Sequence, residues 1–172
     1  FSANGQVAFH NETSFKVQTF TNGSGYANPV KDVLIWKWLR SYIAIILYEN
    51  GRISSFDEQG MEYVFRFSDA DLPQICKILL ASDQDFSDLL VAGGCNGQIY
   101  TTSLTTFYSN RFRGYPKWKK IIDFGASGNK IRDMAFNYLQ TTQSNPETII
   151  QKGQPVLIIE KTMHILYMYN FA

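Results

Sequence analysis

Ile43-Ala44-Ile45-Ile46-Leu47-Tyr48-Glu49-Asn50-Gly51-Arg52-Ile53-Ser54-Ser55-Phe56-Asp57 runs from an apolar stretch through an Asn-Gly pair into a second stretch carrying β-branched and aromatic residues. It reads as strand, tight turn, strand. A type I′ turn needs positive φ at both central residues, which Asn and Gly tolerate, so the pair predicts a β-hairpin. The pair recurs at Asn4-Gly5, Asn50-Gly51 and Asn96-Gly97, with 46 residues from each copy to the next. Two positions after each glycine stands a β-branched residue: Val7, Ile53 and Ile99. A hairpin that returns at a period of roughly 40 to 50 residues marks a repeating array of small sheets.

Working outward, Gln6 to His10 and Phe15 to Phe20 read as strands joined by the polar turn Asn11-Glu12-Thr13. Thr21 to Pro29 is a loop. Val33 to Trp38, Tyr42 to Tyr48, Arg52 to Phe56 and Tyr63 to Phe67 then form a four-strand unit, the last alternating aromatic with other residues as a half-buried outer strand would. The next unit repeats the order: Ile75 to Leu80, Leu89 to Ala92, Gln98 to Ser103 and Trp118 to Phe124. A short helical turn at Leu79-Leu80 is the alternative for its first strand. A third unit holds Lys130 to Asn137, Val156 to Ile159 and Ile165 to Tyr169, interrupted by the polar loop Gln140 to Gln154 and lacking the Asn-Gly pair. No helix is clearly signalled. The expected fold is all-β, built of four-stranded antiparallel units within a single region, 1–172. The units span 1–20 in part, 31–67, 74–124, and 130–172 in part.

The Ile43–Asp57 stretch and Leu89-Leu90-Val91-Ala92-Gly93-Gly94-Cys95-Asn96-Gly97-Gln98-Ile99-Tyr100 together resemble the WD-repeat family of β-propellers. The family pattern is a small, apolar strand, a polar-Gly turn, and an apolar strand ending in Trp-Asp. Phe56-Asp57 stands where the family often has Trp-Asp. Ser103 and Tyr169-Asn170 depart from it, and no Gly-His dipeptide occurs. The resemblance implies a divergent, partial propeller of about three to four blades, part of a larger ring or completed by another chain. Propellers resembling this serve as rigid platforms in chromatin, transcription, nuclear-pore and coat complexes. The resemblance therefore implies a non-catalytic scaffold in a multi-subunit complex, nuclear or cytoplasmic, whose partners are other protein subunits.

Composition bounds these readings. The 172 residues are 45% apolar and 18% charged, enough for a packed core, and aromatics reach 15%, which favours strands. A net charge of +1 gives no global attraction to nucleic acid or membrane. No apolar run approaches the roughly 18 residues of a membrane span, and no signal peptide is visible. The chain opens without Met and in mid-hairpin, so it is expected to be a fragment or processed piece. Cys76 and Cys95 read as two small buried thiols in a reducing compartment. Asn11-Glu12-Thr13 and Asn22-Gly23-Ser24 are glycosylation sequons that matter only in a secreted chain.

Few residues point to chemistry. His10 and His164 have no Cys or His partner at ligand spacing, so neither metal nor cofactor is expected. Gly93-Gly94-Cys95-Asn96-Gly97 lacks the Lys-Ser/Thr and the helix of a phosphate-binding loop and reads as a hairpin turn. Asp83, Asp85 and Asp88 lack the closing Glu of a calcium loop and read as solvated surface. There is no Gly-x-Ser-x-Gly elbow, and the strands that would line a propeller channel are apolar, so neither an enzyme nor a small-molecule substrate is expected. Trp36 and Trp38 share one face of a strand, as core packing between blades requires. Tyr167 and Tyr169 invite the same reading. The segment 108–120 carries Arg111, Arg113, Lys117, Lys119 and Lys120 with four aromatics and no acid. Arg111, Phe112, Arg113, Tyr115, Lys117 and Trp118 are the candidate partner-binding residues. The alternative is nucleic-acid binding, with cations on phosphate and rings stacked on bases.

Overall fold

A computed structural model describes residues 7–10, 15–18, 29–59, 61–65, 74–83, 87–110, 116–125, 130–139, 154–161 and 165–171. They form four antiparallel sheets of two, four, four and three strands. Sheet I pairs β1 (Val7–His10) with β2 (Phe15–Gln18). Sheet II runs in order from β3 (Val30–Trp38) through β4 (Ser41–Tyr48) and β5 (Ile53–Phe56) to β6 (Glu62–Phe65). Sheet III is β7 (Ile75–Ser82), β8 (Asp88–Gly94), β9 (Gln98–Ser103) and β10 (Lys119–Asp123), again side by side in chain order. Sheet IV is β11 (Ile131–Leu139), β12 (Gln154–Lys161) and β13 (Ile165–Asn170). The sequons, His164, Asp85 and the loop 140–153 lie outside the described residues. The described sheets do not close into a ring, so what is observed is a β-rich array of antiparallel sheets.

The apolar runs are explained by burial on both faces. Side chains alternate along a strand, so a strand covered on one face alternates apolar with polar, and one covered on both reads as continuously apolar. In β4, Ile43, Ile45 and Leu47 enter one cluster while Ala44, Ile46 and Tyr48 enter another. In β8, Leu90 and Ala92 pack toward sheet II, and Leu89 and Val91 toward sheet IV. Sheet III is therefore a filling between two slabs. Trp36, Ile45, Leu47 and Phe65 from sheet II meet Ile75, Ile78 and Leu90 from sheet III. Val91 and Ile99 meet Ile131, Met134, Leu157 and Ile159 on the other side. Each of these side chains contributes about 1.5–3 kcal/mol on leaving water, which makes the two interfaces the main source of cohesion. Contact between sheets III and IV is close at Gly93. A Cβ there would stand 2.8 Å from the Ile131 Cγ2.

The turn recurs at the second and third copies, Asn4-Gly5 lying outside the described residues, and it differs from the expected type. Gly51 and Gly97 both have φ +81°, but Asn50 and Asn96 do not have positive φ; among the described residues Leu39 is the non-glycine that does. A type I′ turn is thus excluded. The Gly51 N–H donates to the Tyr48 carbonyl at 2.9 Å and the Gly97 N–H to the Gly94 carbonyl at 3.2 Å, the geometry of an ordinary turn closed by a left-handed glycine. Asn acts through its side chain instead. Asn50 Oδ1 accepts from the Arg52 N–H at 3.0 Å and Asn96 Oδ1 from the Gln98 N–H at 3.2 Å.

Three further expectations change. A helix, α1 (Leu104–Ser109), leaves β9, with Ser103 Oγ accepting from the Thr106 N–H at 3.1 Å as its cap. Apart from Leu104 the residues of Leu-Thr-Thr-Phe-Tyr-Ser are weak helix formers, and burial of Leu104, Phe107 and Tyr108 holds them in place. No helical turn forms at Leu79-Leu80, which pair with Val91 and Leu90 inside β7. Cys76 and Cys95 are joined as a disulfide across Cα atoms 5.3 Å apart, so they are not the free thiols expected, and the ground for a reducing compartment falls away.

Replacing Gly51 or Gly97 by Ala forces a Cβ into the left-handed region, and each variant is expected to lose about 1–2 kcal/mol in urea unfolding. Asn50→Gly, which keeps the backbone freedom and loses only the side-chain bond, should cost less than Gly51→Ala.

Candidate interaction surfaces

Polar contacts inside the array join one sheet to the next. The Trp36 indole N–H on β3 donates to Asp88 Oδ2 at 2.8 Å, and the Asp88 N–H donates to Thr105 Oγ1 at 3.1 Å. Asp88 is therefore a tie between sheets II and III, and the solvated reading is corrected. Its acidic neighbour Asp83 closes a local turn by accepting from the Ser87 N–H at 2.9 Å. The Tyr108 hydroxyl, on α1, donates to Ser55 Oγ on β5 at 2.6 Å in a buried site. Burial is the larger influence on that phenol and pushes its pKa well above 10.

The tryptophan pair lies on one face as expected. Trp36 and Trp38 stack at 5.2 Å, Tyr108 meets Trp36 edge-on at 4.9 Å, and Tyr63 meets Tyr108 at 6.3 Å. These are direct ring contacts, so the rings act as packing.

A charged line crosses the array at its first strands. β3, β7 and β11 each shift register near their start, between Val30 and Asp32, Ile75 and Lys77, and Ile131 and Asp133. The residue after each shift is charged. Lys77 Nζ lies 3.3 Å from Asp32 Oδ2 and 3.8 Å from Asp133 Oδ1. Asp32 Oδ1 accepts from the Val33 N–H and Asp133 Oδ1 from the Met134 N–H, both at 2.9 Å, so the two carboxylates share one local geometry. The strands expected to be apolar thus carry three charges in register. Their signal in the sequence was faint: three units with a charge at the same place only after a bulge is counted. Half-exposed pairs like these are worth roughly 0–1 kcal/mol each, so they fix alignment more than stability.

Of the six candidate residues, Arg111, Phe112, Arg113 and Tyr115 lie outside the described residues. Lys117 is exposed. Trp118 is half-buried, with its ring 6.5 Å from Phe65 in an edge contact, at the margin of the cluster between sheets II and III. Lys120 reaches Asp123 at 3.1 Å. The Gly125 N–H, ahead of Lys120, holds the exposed Asp123 carboxyl below its usual range.

A surface that the sequence did not signal lies on sheet II. Ile35, Leu39, Tyr42 and Met61 are large apolar residues left in water. Leu39 and Tyr42 lie at the β3–β4 turn and Met61 at the β5–β6 turn. Leu39 is 77% exposed with φ +53°, a strained place for a branched side chain. Lys37 Nζ stands 5.8 Å over the Tyr42 ring. The same face of the sheet, across its later strands, carries a polar set in which Glu62 Oε1 accepts from Arg52 Nη2 at 2.7 Å and from Ser54 Oγ at 2.8 Å. Beside them the buried Tyr48 phenol is pushed up to about 12 by burial first and by Glu62 second. Among the described residues no group of three or more His, Cys, Asp or Glu side chains gathers as a metal site.

Two outcomes are expected. Tyr108→Phe leaves Ser55 Oγ buried without its donor, and should cost about 1–3 kcal/mol in denaturant unfolding. A phenol whose folded pKa is raised keeps its stabilising share below pH 10 and loses it as pH climbs toward 12. Stability should therefore decline across pH 10–12, and less steeply in Tyr48→Phe; a slope equal in both proteins would count against this assignment. The chain matches no protein-family model and no curated protein.

Proposed function

We propose that this chain is a set of propeller blades, divergent in the manner of WD repeats, and serves as a non-catalytic scaffold in a multi-subunit complex. The observation that carries the reading is the repeat of antiparallel sheets whose strands lie side by side in chain order. Sheets II and III each set four strands in this way, and the three described strands of sheet IV follow the same order. Stacking through sheet faces supports the same reading, because blades in a ring pack face to face around their first strands. Turns and edges, held by rigid sheets, are where partners dock. On this reading the partners are protein subunits in the nucleus or cytoplasm.

The second reading, nucleic-acid binding through 108–120, rests on Lys117, Lys119 and Lys120 all being exposed on the way into β10. It is weaker because Trp118 is engaged with Phe65 and Tyr108 is buried, which leaves fewer rings free to stack on bases.

The test compares the chain with a variant carrying Leu39→Ser, Tyr42→Ser and Met61→Ser at its exposed turns. The scaffold reading expects the unsubstituted chain to self-associate or retain a protein partner in light scattering, and the variant to do so at least tenfold more weakly. A well-folded monomer that retains no protein overturns it. Fluorescence titration with single- and double-stranded probes at low salt covers the alternative. There, Arg111→Ala/Arg113→Ala/Lys117→Ala should weaken binding and flatten its salt dependence.

A further inference from the structure

Cys76 and Cys95 occupy a position that the other sheets also possess and fill differently. Cys76 is the residue between Ile75 and Lys77, where β7 shifts register against β8. Cys95 is the first residue of the β8–β9 turn, and its N–H donates to the Gln74 carbonyl at 2.7 Å. In sheet II the matching residues are Lys31, between Val30 and Asp32, and Glu49, whose N–H donates to the Pro29 carbonyl at 2.9 Å. In sheet II the backbone therefore brings these two positions together without any covalent help, and sheet III makes the same backbone bond. In sheet II they carry an exposed cation and an exposed anion; in sheet III they carry two thiols.

The neighbour of Cys76 gives the site its leverage. Lys77 follows it directly and reaches both Asp32 on β3 and Asp133 on β11. The start of β7 is thus the point where sheets II, III and IV are tied by charge, and the disulfide clamps that point to the turn of its own sheet. Accessibility is unequal. Cys76 is buried at 8% exposure, whereas Cys95 is half-exposed on the turn.

We propose that Cys76–Cys95 is a reversible thiol–disulfide clamp that sets how firmly β7 holds its two neighbouring sheets. Closure takes a low-molecular-weight disulfide such as oxidised glutathione. The Cys95 thiolate attacks one of its sulfurs and expels one glutathione thiolate, forming a mixed disulfide. The Cys76 thiolate then attacks Cys95 Sγ, the protein S–S bond forms, and the second glutathione leaves. The two protein thiols lose two electrons and two protons, and two molecules of glutathione thiol are produced. Opening is the reverse: a glutathione thiolate attacks the exposed Cys95 Sγ and Cys76 leaves as the thiolate. Because the Cys95–Gln74 backbone bond does not depend on the clamp, the open form stays folded with a looser β7.

The experiment equilibrates the chain in glutathione buffers from fully reduced to fully oxidised, traps thiols with iodoacetamide, and weighs the products. A change from two alkylated cysteines to none across the series is expected. In parallel the oxidised chain should melt roughly 6–12 °C above the reduced one, the size expected for a closed loop of this length in a domain of this size. Hydrogen exchange at residues 75–78 should quicken on reduction more than at 43–48 of sheet II. Cys76→Ser/Cys95→Ser should lose the dependence on glutathione and melt with the reduced chain; should that variant fail to fold, the exchange measurement on the unmutated chain decides. Two thiols still alkylated in excess oxidised glutathione, a stable glutathione adduct on Cys95, a bond that survives excess reduced glutathione, or equal melting of the two forms would each overturn the proposal.

Discussion

Burial of sheet III on both of its faces is the constraint from which the rest follows. A four-stranded sheet standing alone in water leaves one apolar face wet and is marginal. Here Leu90 and Ala92 point one way and Leu89 and Val91 the other, and each set meets an apolar slab from a neighbouring sheet. Removing either neighbour would expose a contiguous apolar face. Cohesion is therefore shared between units, and no single sheet holds its fold by itself, which is the physical logic of repeat architectures.

The same constraint explains which parts of the fold could be read in the sequence. Two-faced burial demands unbroken apolar runs, so Ile43 to Tyr48 and Leu89 to Ala92 were legible as strands, and the Asn-Gly spacing placed the turns between them. The turn chemistry was only half legible, because a glycine in the left-handed region and an Asn accepting from the backbone two residues on produce the same dipeptide as a type I′ turn. Helix α1 was hidden because Leu104-Thr105-Thr106-Phe107 has strand-like composition, and only its packing between two sheets overrides that preference. Strand ends also ran further than expected; β3 starts at Val30, because a bulge admits Lys31 and Asp32 without ending the pairing.

The candidate surfaces were less legible for a different reason. A residue's role at a sheet-to-sheet boundary depends on partners far away in sequence. Asp88 looked solvated because its run is acidic, yet its partner Trp36 is 52 residues distant. Lys77 is one lysine among many until Asp32 and Asp133 are placed on either side of it. Cys76 and Cys95 looked like isolated small residues because 19 positions separate them, and only the pairing of β7 with β8 brings them together. Exposed Leu39 escaped notice because it directly follows the run Val33 to Trp38 and looks like its continuation.

Taken together, these contacts divide the chain into an interior that is occupied and a margin that is not. Inside, rings touch rings, Tyr108 is matched to Ser55, and Trp36 to Asp88. A side chain already matched in a packed boundary has no spare valence for a ligand, and opening the boundary would sacrifice apolar burial on both sides. Groups with capacity left lie outward: the Leu39 turn with Tyr42 and Met61, and Lys117 and Lys119 on the way into β10. A partner that engages them gains contact without disturbing the stack. On the proposed scaffold reading, the cohesion that makes the array stable confines recognition to its rim, and the start of β7, where three sheets are tied by charge, links the interior to that rim.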